Sequence, residues 1–396
     1  SSPIAATNRI WLAGYEGDRC SIMCLDLGTG QRLWEKSVQA VRTERKSPPN
    51  DAASSTPVTD GLNVYVLFSG FGLICFGPDG EKRWQVPLES FSQPHGMSSS
   101  PILVRDKVIV LADQVTNSYI TAFDTLDGKL KWKSVRPSFV GGYSTPLEWH
   151  GEILVPGPLE LVTYAADTGA RLWSSGKMGV MPIGSPAFND DRLFINNGAV
   201  PPFEALAKEL KGDRNGDGKL SPDEFPDPSF KEAVLTIDRV YGNGDGLVDR
   251  SEWDGALKLM ENLNTLVAIQ LAGSHPKELW RTTKNLADVA SPLVYQNVLY
   301  LLKDGGLLSA LDPDDGTVLW RERVSDAGGR YFASPVAGDG KVYVVSETGE
   351  VSVLKAGRTF GRLSSSKLDE ACYATPAIAG RYLLFRTLNT LRAFGN

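Results

Sequence analysis

The apolar residues of this chain fall mostly in short runs that are separated by Gly, Asp, Asn and Pro. Typical pairs are "KVIVLAD" with "YITAFD" (107–113 and 119–124) and "KVYVVSE" with "EVSVLKA" (341–347 and 350–356). Short runs that are rich in Val, Ile and Tyr and bounded by turn residues predict strands, and the short turns between them predict hairpins. Most of the chain is therefore expected to be antiparallel β-structure.

A Ser/Thr-Pro step followed by a predicted strand recurs along the chain. The steps are Ser2-Pro3, Thr56-Pro57, Ser100-Pro101, Thr145-Pro146, Ser185-Pro186, Ser291-Pro292, Ser334-Pro335 and Thr375-Pro376. The second to fifth steps are 44, 45 and 40 residues apart, and the last three are 43 and 41 residues apart. A period of about 40–45 residues with room for four strands is that of a β-propeller blade. The sequence thus predicts an all-β, eight-bladed propeller of four-stranded antiparallel blades.

An aromatic residue follows the turn before the last strand of most units. These residues are Trp34, Trp84, Trp132, Trp173, Trp280 and Trp320, and Phe360 is expected to take the same place in the seventh unit. They are expected to pack between blades. The eighth unit ends after its third strand, at "TLRAFGN". Because closed rings avoid open strand edges, its outer strand is expected either to come from residues upstream of Ser1 or to be missing.

The turn-and-tryptophan element is written "DLGTGQRLW" and "AADTGARLW" in two of the units. It resembles the repeat of the PQQ-binding-like, or quinoprotein-dehydrogenase-like, β-propeller family, and the resemblance covers nearly the whole chain outside one insertion. That family includes quinone-dependent dehydrogenases, outer-membrane assembly scaffolds and sensor domains. The resemblance therefore implies a fold and leaves the function open.

The repeat is interrupted between Pro186 and Pro292. Their separation of 106 residues is about 63 more than one repeat. The excess falls between the second and third strands of the fifth unit. The predicted domains are a discontinuous propeller, 1–198 and 263–396, and a small α-helical insert, 199–262, which we interpret as a pair of EF-hands.

The first loop of the insert, "DRNGDGKLSPDEF" (213–225), has an oxygen ligand at each position that an EF-hand requires. The predicted calcium ligands are Asp213, Asn215, Asp217, the Lys219 carbonyl, Ser221 and Glu224. Gly218, at the sixth position, provides the sharp turn, and Glu224, at the twelfth, closes the shell. This pattern predicts a bound calcium ion.

The second loop departs from the pattern at its first position. Its candidate ligands are Asn243, Asp245, the Leu247 carbonyl, Asp249 and Glu252, but the first position is Tyr241, a poor calcium ligand. Asp238 lies three residues upstream. Three outcomes stay open: the loop recruits Asp238, binds calcium weakly or stays empty. Leu220 and Val248, at the eighth position of each loop, are expected to pair as a short β-bridge.

Charge and composition narrow the functional classes. The chain has 396 residues, a formal charge of −6 and a pI of about 5.3, which do not favour nucleic-acid binding. No apolar run is long enough to predict a transmembrane segment. The cysteines lack metal or haem spacing and are expected to be buried thiols: Cys20, Cys24, Cys75 and Cys372. Because calcium is abundant outside the cytoplasm, a secreted, periplasmic or cell-surface location is expected.

The loops that precede the Ser/Thr-Pro steps are expected to ring the mouth of the central channel, with the insert overhanging it. The candidate ligand-binding residues there are His95, Tyr143, Asp288, Arg330, Tyr331 and Tyr373. No catalytic residues are predicted. We expect a non-catalytic scaffold that binds an unknown protein or small-molecule ligand at the mouth, with calcium in the insert.

The alternative is a quinone (PQQ)-dependent or sugar-linked enzyme that uses the channel mouth. The dehydrogenase branch of the family implies a tryptophan beneath the quinone and, in alcohol dehydrogenases, an adjacent cysteine pair. This sequence has no adjacent cysteines and no tryptophan at a predicted inner-strand position. PQQ is therefore not expected, and the assignment leans away from an enzyme.

Overall fold

The fold is seen in a computed structural model that describes residues 1–44, 46–91, 93, 95–114, 117–136, 142–157, 160–176, 178–179, 182–197, 203–204, 207, 212–225, 231, 234–235, 237–239, 242–261, 265–271, 276–284, 286–325 and 328–395. Within these residues the strands form eight antiparallel sheets, seven with four strands and one with three. A further two-stranded sheet lies in the insert. The predicted all-β, eight-bladed propeller is confirmed.

The first four blades follow the chain without interruption. Their strands are β1 (Ile4–Ala6), β2 (Arg9–Glu16), β3 (Arg19–Asp26) and β4 (Arg32–Gln39); β5 (Val58–Thr59), β6 (Val64–Phe68), β7 (Gly72–Phe76) and β8 (Lys82–Pro87); β9 (Ile102–Val104), β10 (Lys107–Ala112), β11 (Tyr119–Asp124) and β12 (Leu130–Val135); and β13 (Leu147–Trp149), β14 (Glu152–Pro156), β15 (Glu160–Ala165) and β16 (Arg171–Gly176).

The last four blades include the interrupted one. Their strands are β17 (Ala187–Asn189), β18 (Arg192–Asn196), β21 (Leu266–Gln270) and β22 (Lys277–Thr282); β23 (Leu293–Tyr295), β24 (Val298–Lys303), β25 (Leu307–Leu311) and β26 (Val318–Arg323); β27 (Val336–Gly338), β28 (Lys341–Val345), β29 (Glu350–Lys355) and β30 (Arg362–Lys367); and β31 (Ala377–Ala379), β32 (Tyr382–Arg386) and β33 (Leu391–Gly395).

The expectation that no tryptophan lies on an inner strand is wrong. Trp149 is the last residue of β13, the inner strand of the fourth blade.

Burial explains why the middle strands read as continuous apolar runs. Every residue of β6 and of β10 is buried. A blade is covered on both faces by its neighbours, so both faces of its middle strands need apolar side chains. The outer strands alternate instead: in β8 Trp84 is buried and Val86 is partly buried, whereas Gln85 and Pro87 are exposed.

The Ser/Thr-Pro steps link the inner strands around the channel. In seven of the eight steps the backbone N–H of the Ser or Thr donates to the side-chain hydroxyl of its counterpart in the next blade. The bonds are Ser2 N to Thr56 Oγ1 (3.2 Å), Thr56 N to Ser100 Oγ (2.9 Å), Ser100 N to Thr145 Oγ1 (3.0 Å), Thr145 N to Ser185 Oγ (3.2 Å), Ser185 N to Ser291 Oγ (2.9 Å), Ser291 N to Ser334 Oγ (2.9 Å) and Ser334 N to Thr375 Oγ1 (3.0 Å). The repeat therefore places a hydroxyl where each junction needs an acceptor.

The tryptophans link the outer parts of neighbouring blades, as expected. In five blades the indole N–H donates to a backbone carbonyl in the last turn of the next blade. These bonds are Trp34 to Pro78 (2.7 Å), Trp84 to Thr125 (2.9 Å), Trp132 to Ala166 (3.0 Å), Trp280 to Pro313 (3.0 Å) and Trp320 to Gly357 (3.1 Å). A buried indole needs a partner for its N–H, and the adjacent turn supplies it.

Four of these turns contain a glycine against the indole. The glycines are Gly80, Gly128, Gly169 and Gly316, with φ between 71° and 77°. A Cβ at these positions would lie 2.4–2.8 Å from the nearest indole atom. Both the positive φ and the close approach of the ring require glycine.

The expectation that Phe360 replaces the tryptophan of the seventh blade is wrong. Trp320 pairs with Ala310, and the residue at the corresponding register of the seventh blade is Ser364, which pairs with Val353. Phe360 lies before β30, in a longer turn, and its ring packs against Trp320 with 5.2 Å between ring centroids. Phe360 therefore contacts the tryptophan of the preceding blade, as the turn glycines do in other blades.

The insert leaves the fifth blade between β18 and β21, which pair directly with each other. It contains β19 (Lys219–Leu220), β20 (Val248–Asp249), a 3-10 turn (Pro222–Glu224) and helix α1 (Arg250–Glu261). Its buried apolar side chains form a cluster of their own: Phe203, Leu220, Phe225, Val234, Ile237, Val248, Trp253 and Ala256. Part of the insert that is predicted to be helical, including Leu206, Leu210 and Phe230, lies outside the described residues. No helix in the described part of the chain is both long and apolar enough to cross a membrane.

Candidate functional site

A cavity of about 700 Å³ opens where the inner strands of the first, second and last blades begin. This mouth cavity is polar and aromatic. Its lining includes Tyr15, Pro49, Asn50, Asp51, Arg330, Phe332, Glu347, Tyr373 and Arg386. Its volume falls in the range of small-molecule sites, about 300–1,000 Å³.

Arg330 and Tyr373, both candidates from the sequence, lie together in this lining. The Arg330 guanidinium carbon is 5.9 Å from the centroid of the Phe332 ring. The rings of Phe332 and Tyr373 meet edge to face, with 5.6 Å between centroids. The wall formed by these three side chains can contact both an apolar group and an anionic one.

Arg386 is a lining residue that the sequence analysis missed. Its Nη1 donates to the carbonyl of Ser1 (2.9 Å) and to that of Ala13 (2.5 Å), so it ties the eighth blade to the first. Burial lowers the pKa of this guanidinium, and the Asp51 carboxylate opposes that shift. The only sequence signal was a charged residue at the end of the apolar run "YLLF".

Tyr331 and Asp288 lie beside the mouth without lining the cavity. Tyr331 is only 2% exposed, and its backbone N–H donates to Asp304 Oδ1 (2.7 Å). Asp288 Oδ2 accepts a hydrogen bond from the Asp304 N–H (2.9 Å). Burial raises the pKa of Asp304, and the nearby carboxylates of Asp288 and Glu347 act in the same direction. These groups hold the connecting loops in place.

His95 and Tyr143 pack against each other on another part of the same face. Their ring centroids are 5.8 Å apart, and His95 Nδ1 lies 2.6 Å from Ser47 Oγ. Neither residue lines the mouth cavity. Of the six candidates, Arg330 and Tyr373 line the cavity. Asp288 and Tyr331 support the loops beside it, and His95 and Tyr143 form a separate aromatic pair.

The insert begins next to the mouth. Asn196, at the end of β18, donates from Nδ2 to the Ala287 carbonyl (2.9 Å) and accepts from the Ala287 N–H (3.1 Å). Ala287 precedes Asp288 and Val289, and Val289 lines the mouth cavity. The side-chain amide of Asn196 therefore fixes the root of the insert beside the channel.

The first loop folds around its carboxylates. Asp213 accepts the N–H groups of Gly216 (Oδ1, 2.7 Å) and Gly218 (Oδ2, 3.1 Å). Glu224 accepts the N–H groups of Asn215 (Oε1, 3.2 Å) and Ser221 (Oε2, 2.8 Å). The predicted first and twelfth ligands are thus aimed back into the loop.

The middle of the first loop has the same inward arrangement. Asn215 Oδ1 accepts the Asp217 N–H (2.9 Å), and Asp217 Oδ1 accepts the Lys219 N–H (2.8 Å). The side chain of Glu224 is nearly buried, at 7% exposure. Burial raises its pKa, but the hydrogen bonds from Ser221, Asn215 and Arg214 outweigh that effect, so the net pKa is lowered. The group is therefore held as a carboxylate, the form that binds a cation.

The second loop has the same hydrogen-bond frame, with Asp238 in the role of Asp213. Asp238 accepts the N–H groups of Gly244 (Oδ1, 2.8 Å) and Gly246 (Oδ2, 2.9 Å), which are the counterparts of Gly216 and Gly218. Asp238 is only 5% exposed. Tyr241, which occupies the first position by sequence, lies outside the described residues.

The remaining bonds of the second loop also repeat those of the first. Asn243 Oδ1 accepts the Asp245 N–H (2.8 Å), and Asp245 Oδ1 accepts the Leu247 N–H (2.9 Å). Glu252 accepts the N–H groups of Asn243 (Oε1, 3.0 Å) and Asp249 (Oε2, 3.0 Å). The two loops therefore present equivalent sets of oxygens.

Gly242 makes room for this arrangement. A Cβ at Gly242 would lie 2.8 Å from the Asp238 carbonyl oxygen, 2.9 Å from Asp238 Cα and 2.9 Å from Glu252 Oε1. Its N–H donates to the carbonyls of Ile237 (3.0 Å) and Asp238 (2.9 Å). The chain can bring Asp238 to the loop only because no side chain stands at position 242.

The two loops are joined back to back. Leu220 pairs with Val248, as predicted from the eighth position of each loop, and Lys219 pairs with Asp249. No three His, Cys, Asp or Glu side chains of the described residues cluster closely enough to hold a metal by themselves. In an EF-hand, amide and main-chain oxygens complete the shell, and Asn215, Asn243 and the carbonyls at Lys219 and Leu247 are of that kind.

Comparison with known proteins identifies the family. The sequence profile of the outer membrane protein assembly factor BamB matches residues 18–200 and 264–388. The chain belongs to the BamB family. The gap between the two matched ranges, 201–263, covers nearly all of the predicted insert, 199–262. No curated protein matches the chain significantly.

Solved structures share the fold at low sequence identity. BamB from Moraxella catarrhalis has a TM-score of 0.65 and 14% identity over 98% of this chain and 91% of that one. The computationally designed protein Ika8 has a TM-score of 0.59 and 12% identity over 100% and 95%. A europium-containing methanol dehydrogenase has a TM-score of 0.59 and 10% identity over 97% and 81%. At these identities the similarity shows the BamB-like propeller fold alone.

Proposed function

We propose that this member of the BamB family is a non-catalytic binding scaffold whose insert holds two calcium ions beside the channel mouth. The observation that carries the proposal is the matched frame of the two loops, in which Asp238 takes the role of Asp213. Oxygen ligands suit a hard cation such as calcium. A propeller with a rigid, calcium-stabilised module at its mouth presents a composite surface for a protein or small-molecule partner.

The calcium ligands in this proposal follow the frame of each loop. In the first loop they are Asp213, Asn215, Asp217, the Lys219 carbonyl, Ser221 and Glu224. In the second they are Asp238, Asn243, Asp245, the Leu247 carbonyl, Asp249 and Glu252. The inward-facing carboxylates place several negative charges close together, and a bound calcium ion would neutralise them. The insert, 199–262, is proposed to be a separate domain, because its apolar cluster consists of its own side chains.

The first loop is tested by thermal unfolding with calcium and with chelator. Calcium that binds only the folded insert stabilises it by RT ln(1 + [L]/Kd), about 2.7 kcal/mol at a hundredfold excess over Kd. Glu224→Gln is expected to remove most of this gain, because it removes the bidentate carboxylate. Asp223→Asn is the matched control: Asp223 is exposed, carries the same charge and occupies no ligand position. Equal effects of the two substitutions would contradict the assignment.

The mouth cavity is proposed as the partner site. Arg330, Arg386 and the Phe332–Tyr373 pair support a partner that combines an apolar or aromatic group with an acidic one. The assembly-factor description of the matched family supports a protein as that partner. Substitution of Tyr373 by Ala is expected to weaken partner binding without lowering stability appreciably, because Tyr373 is 39% exposed.

The enzyme alternative is tested with PQQ and calcium. We expect the quinone absorbance to be unchanged by the protein and artificial electron acceptors to stay oxidised with alcohols or sugars. A saturable change in quinone absorbance that Arg386→Met abolishes would instead favour a quinone-dependent enzyme at this mouth.

A secreted, periplasmic or cell-surface location belongs to the same proposal, because extracellular calcium keeps sites of moderate affinity filled. Cell fractionation tests that location.

A further inference from the structure

Four charged side chains line the mouth cavity. They are two guanidinium groups, Arg330 and Arg386, and two carboxylates, Asp51 and Glu347. In the described part of the chain none of the four forms an ion pair, because no nitrogen and oxygen of opposite charge approach within 4.0 Å. The cavity therefore presents charges of both signs that the protein itself does not pair, and their sum is zero.

Arg386 is held so that one side of its guanidinium group stays free. Its Nη1 donates to the carbonyl of Ser1 (2.9 Å), to the hydroxyl of Ser1 (2.9 Å) and to the carbonyl of Ala13 (2.5 Å). Its Nε and Nη2 donate to no acceptor among the described residues, and neither nitrogen is fully buried. The parallel N–H groups of Nε and Nη2 are the side of a guanidinium that can hold a carboxylate by two hydrogen bonds.

Asp51 is fixed in a similar way, with one oxygen free. Its Oδ1 accepts the Ala53 N–H (2.7 Å), and its own N–H donates to Ser54 Oγ (2.8 Å). Its Oδ2 accepts no hydrogen bond from a described residue and is not fully buried. The Asp51 carboxylate acts on the pKa of Arg386, so the two charges lie close enough to interact, although they do not touch. The gap between them leaves room for a ligand group.

An aromatic surface lies in the same cavity. The edge-to-face pair of Phe332 and Tyr373 forms part of the lining, and Tyr373 is 39% exposed. The ring of Tyr15 is a further lining group. Exposed aromatic rings pack well against another ring or a large aliphatic side chain. The cavity therefore combines two opposite charges with an apolar wall.

We propose that the mouth cavity binds an α-amino acid with an aromatic or large apolar side chain. The Nε and Nη2 groups of Arg386 hold its carboxylate, Asp51 Oδ2 accepts from its ammonium group, and the Phe332–Tyr373 pair packs against its side chain. This inference rests on the assignment of the mouth cavity as a binding site, and it names the class of small molecule that the site takes.

The balance of charge favours a zwitterion over an ion of one sign. A carboxylic acid would bring a further negative charge towards Asp51 and Glu347, and phosphate or sulfate would bring more. An amine would instead face Arg330 and Arg386. Only a ligand that carries both charges leaves no group of the lining opposite a charge of its own sign.

Isothermal calorimetry with residues 1–396 tests the ligand class. The probes are L-phenylalanine and L-leucine, with 3-phenylpropionate, which lacks the ammonium group, and phenethylamine, which lacks the carboxylate. We expect one molecule of either amino acid per chain, and at least about tenfold weaker binding of both analogues than of L-phenylalanine, because each leaves a charged group of the protein unpaired. Binding of neither amino acid up to about 10 mM overturns the proposal. Equal binding of 3-phenylpropionate and L-phenylalanine also overturns it.

Asp51→Asn tests the role of the carboxylate without disturbing Arg386, which also holds the first blade. The amide oxygen of Asn can still accept the Ala53 N–H. We expect the preference for L-phenylalanine over 3-phenylpropionate to fall about tenfold, a change that a merely structural role would not produce. Asp79→Asn is the matched control, because Asp79 is exposed and does not line the cavity, and it should keep the preference. An unchanged preference in Asp51→Asn overturns the assignment of the ammonium site.

The outcome can be separated from that of the scaffold proposal. Calcium binding by the insert and the binding of a protein partner that depends on Tyr373 are measured in the same preparation. If both are found while neither amino acid binds, the amino-acid site is wrong and the scaffold proposal stands.

Discussion

The indole links between blades predict a difference between two tryptophan-to-phenylalanine substitutions. Trp132 is 8% exposed, and its N–H donates to the buried Ala166 carbonyl at 3.0 Å. Trp173 is half-buried, and its N–H donates to the side chain of Glu152 in the same blade, at 2.9 Å. Trp132→Phe removes a link between blades, whereas Trp173→Phe removes a bond that water can replace.

The magnitude follows from the two contacts that Trp132 makes. Loss of the hydrogen bond leaves a buried carbonyl without its donor, which costs about 1–2 kcal/mol. The space left by the smaller ring against Gly169 adds about 1 kcal/mol. Trp132→Phe is therefore expected to lower the free energy of unfolding by about 2–3 kcal/mol, and Trp173→Phe by less than about 1 kcal/mol.

The assay is urea unfolding followed by far-ultraviolet circular dichroism, with the loss of β-structure giving the midpoint and slope for each variant. Both variants should keep the wild-type spectrum at zero urea. Equal losses of stability for the two variants would refute the reasoning, because the inter-blade bond would then contribute nothing beyond ring burial.

Two further predictions concern ionisable groups in the propeller. Burial raises the pKa of Cys20, Cys24 and Cys372 to about 11 and that of Cys75 to about 12. The four thiols should therefore resist a disulfide reagent at pH 8 until the protein is unfolded. A thiol that reacts within minutes in the folded protein would contradict this. Asp304→Asn should raise the free energy of unfolding at pH 7 by about a few tenths of a kcal/mol. The raised pKa of this half-buried carboxyl shows that its negative charge is unfavourable in the folded protein. The amide oxygen of Asn can still accept the hydrogen bond from the Tyr331 N–H. An acid whose pKa is raised by folding contributes its full stability only below its unfolded pKa, about 3.9 for Asp, and loses that contribution as the pH rises. The stability advantage of Asp304→Asn should therefore vanish near pH 3.5. An advantage that persists there would show a different cause.

The sequence predicted those features that recur at a fixed period. The Ser/Thr-Pro steps recur because each supplies a hydroxyl acceptor beside the channel. The tryptophans recur because each places a ring between two blades. Phe360 was assigned to the wrong position because it is the first aromatic residue after the turn, although it lies four residues before Ser364, the residue at the true register. Only the pairing of Val353 with Ser364 reveals the true register.

The site residues were harder to predict because a difference of one position decides which loop residue lines the cavity. Asp288 and Tyr331 lie three residues before their Ser/Thr-Pro steps and take part in hydrogen bonds beside the cavity. Val289, Phe332 and Tyr373 lie two residues before theirs and line it. Asp238 was only one of several options, because an EF-hand pattern counts positions along the chain and cannot include a ligand three residues before it. The glycine at 242 was visible in the sequence, but the contact that makes it necessary is not.

Calcium titration of residues 1–396 by isothermal calorimetry tests the central claim most directly. Starting from metal-free protein, we predict two calcium ions per chain, and one per chain for Asp238→Asn, because that substitution removes the carboxylate that replaces Tyr241. Asp254→Asn, an exposed acidic residue of α1 outside both loops, is the matched control and should leave the number at two. One ion per chain in the wild type, or two in Asp238→Asn, would contradict the equivalence of the two loops.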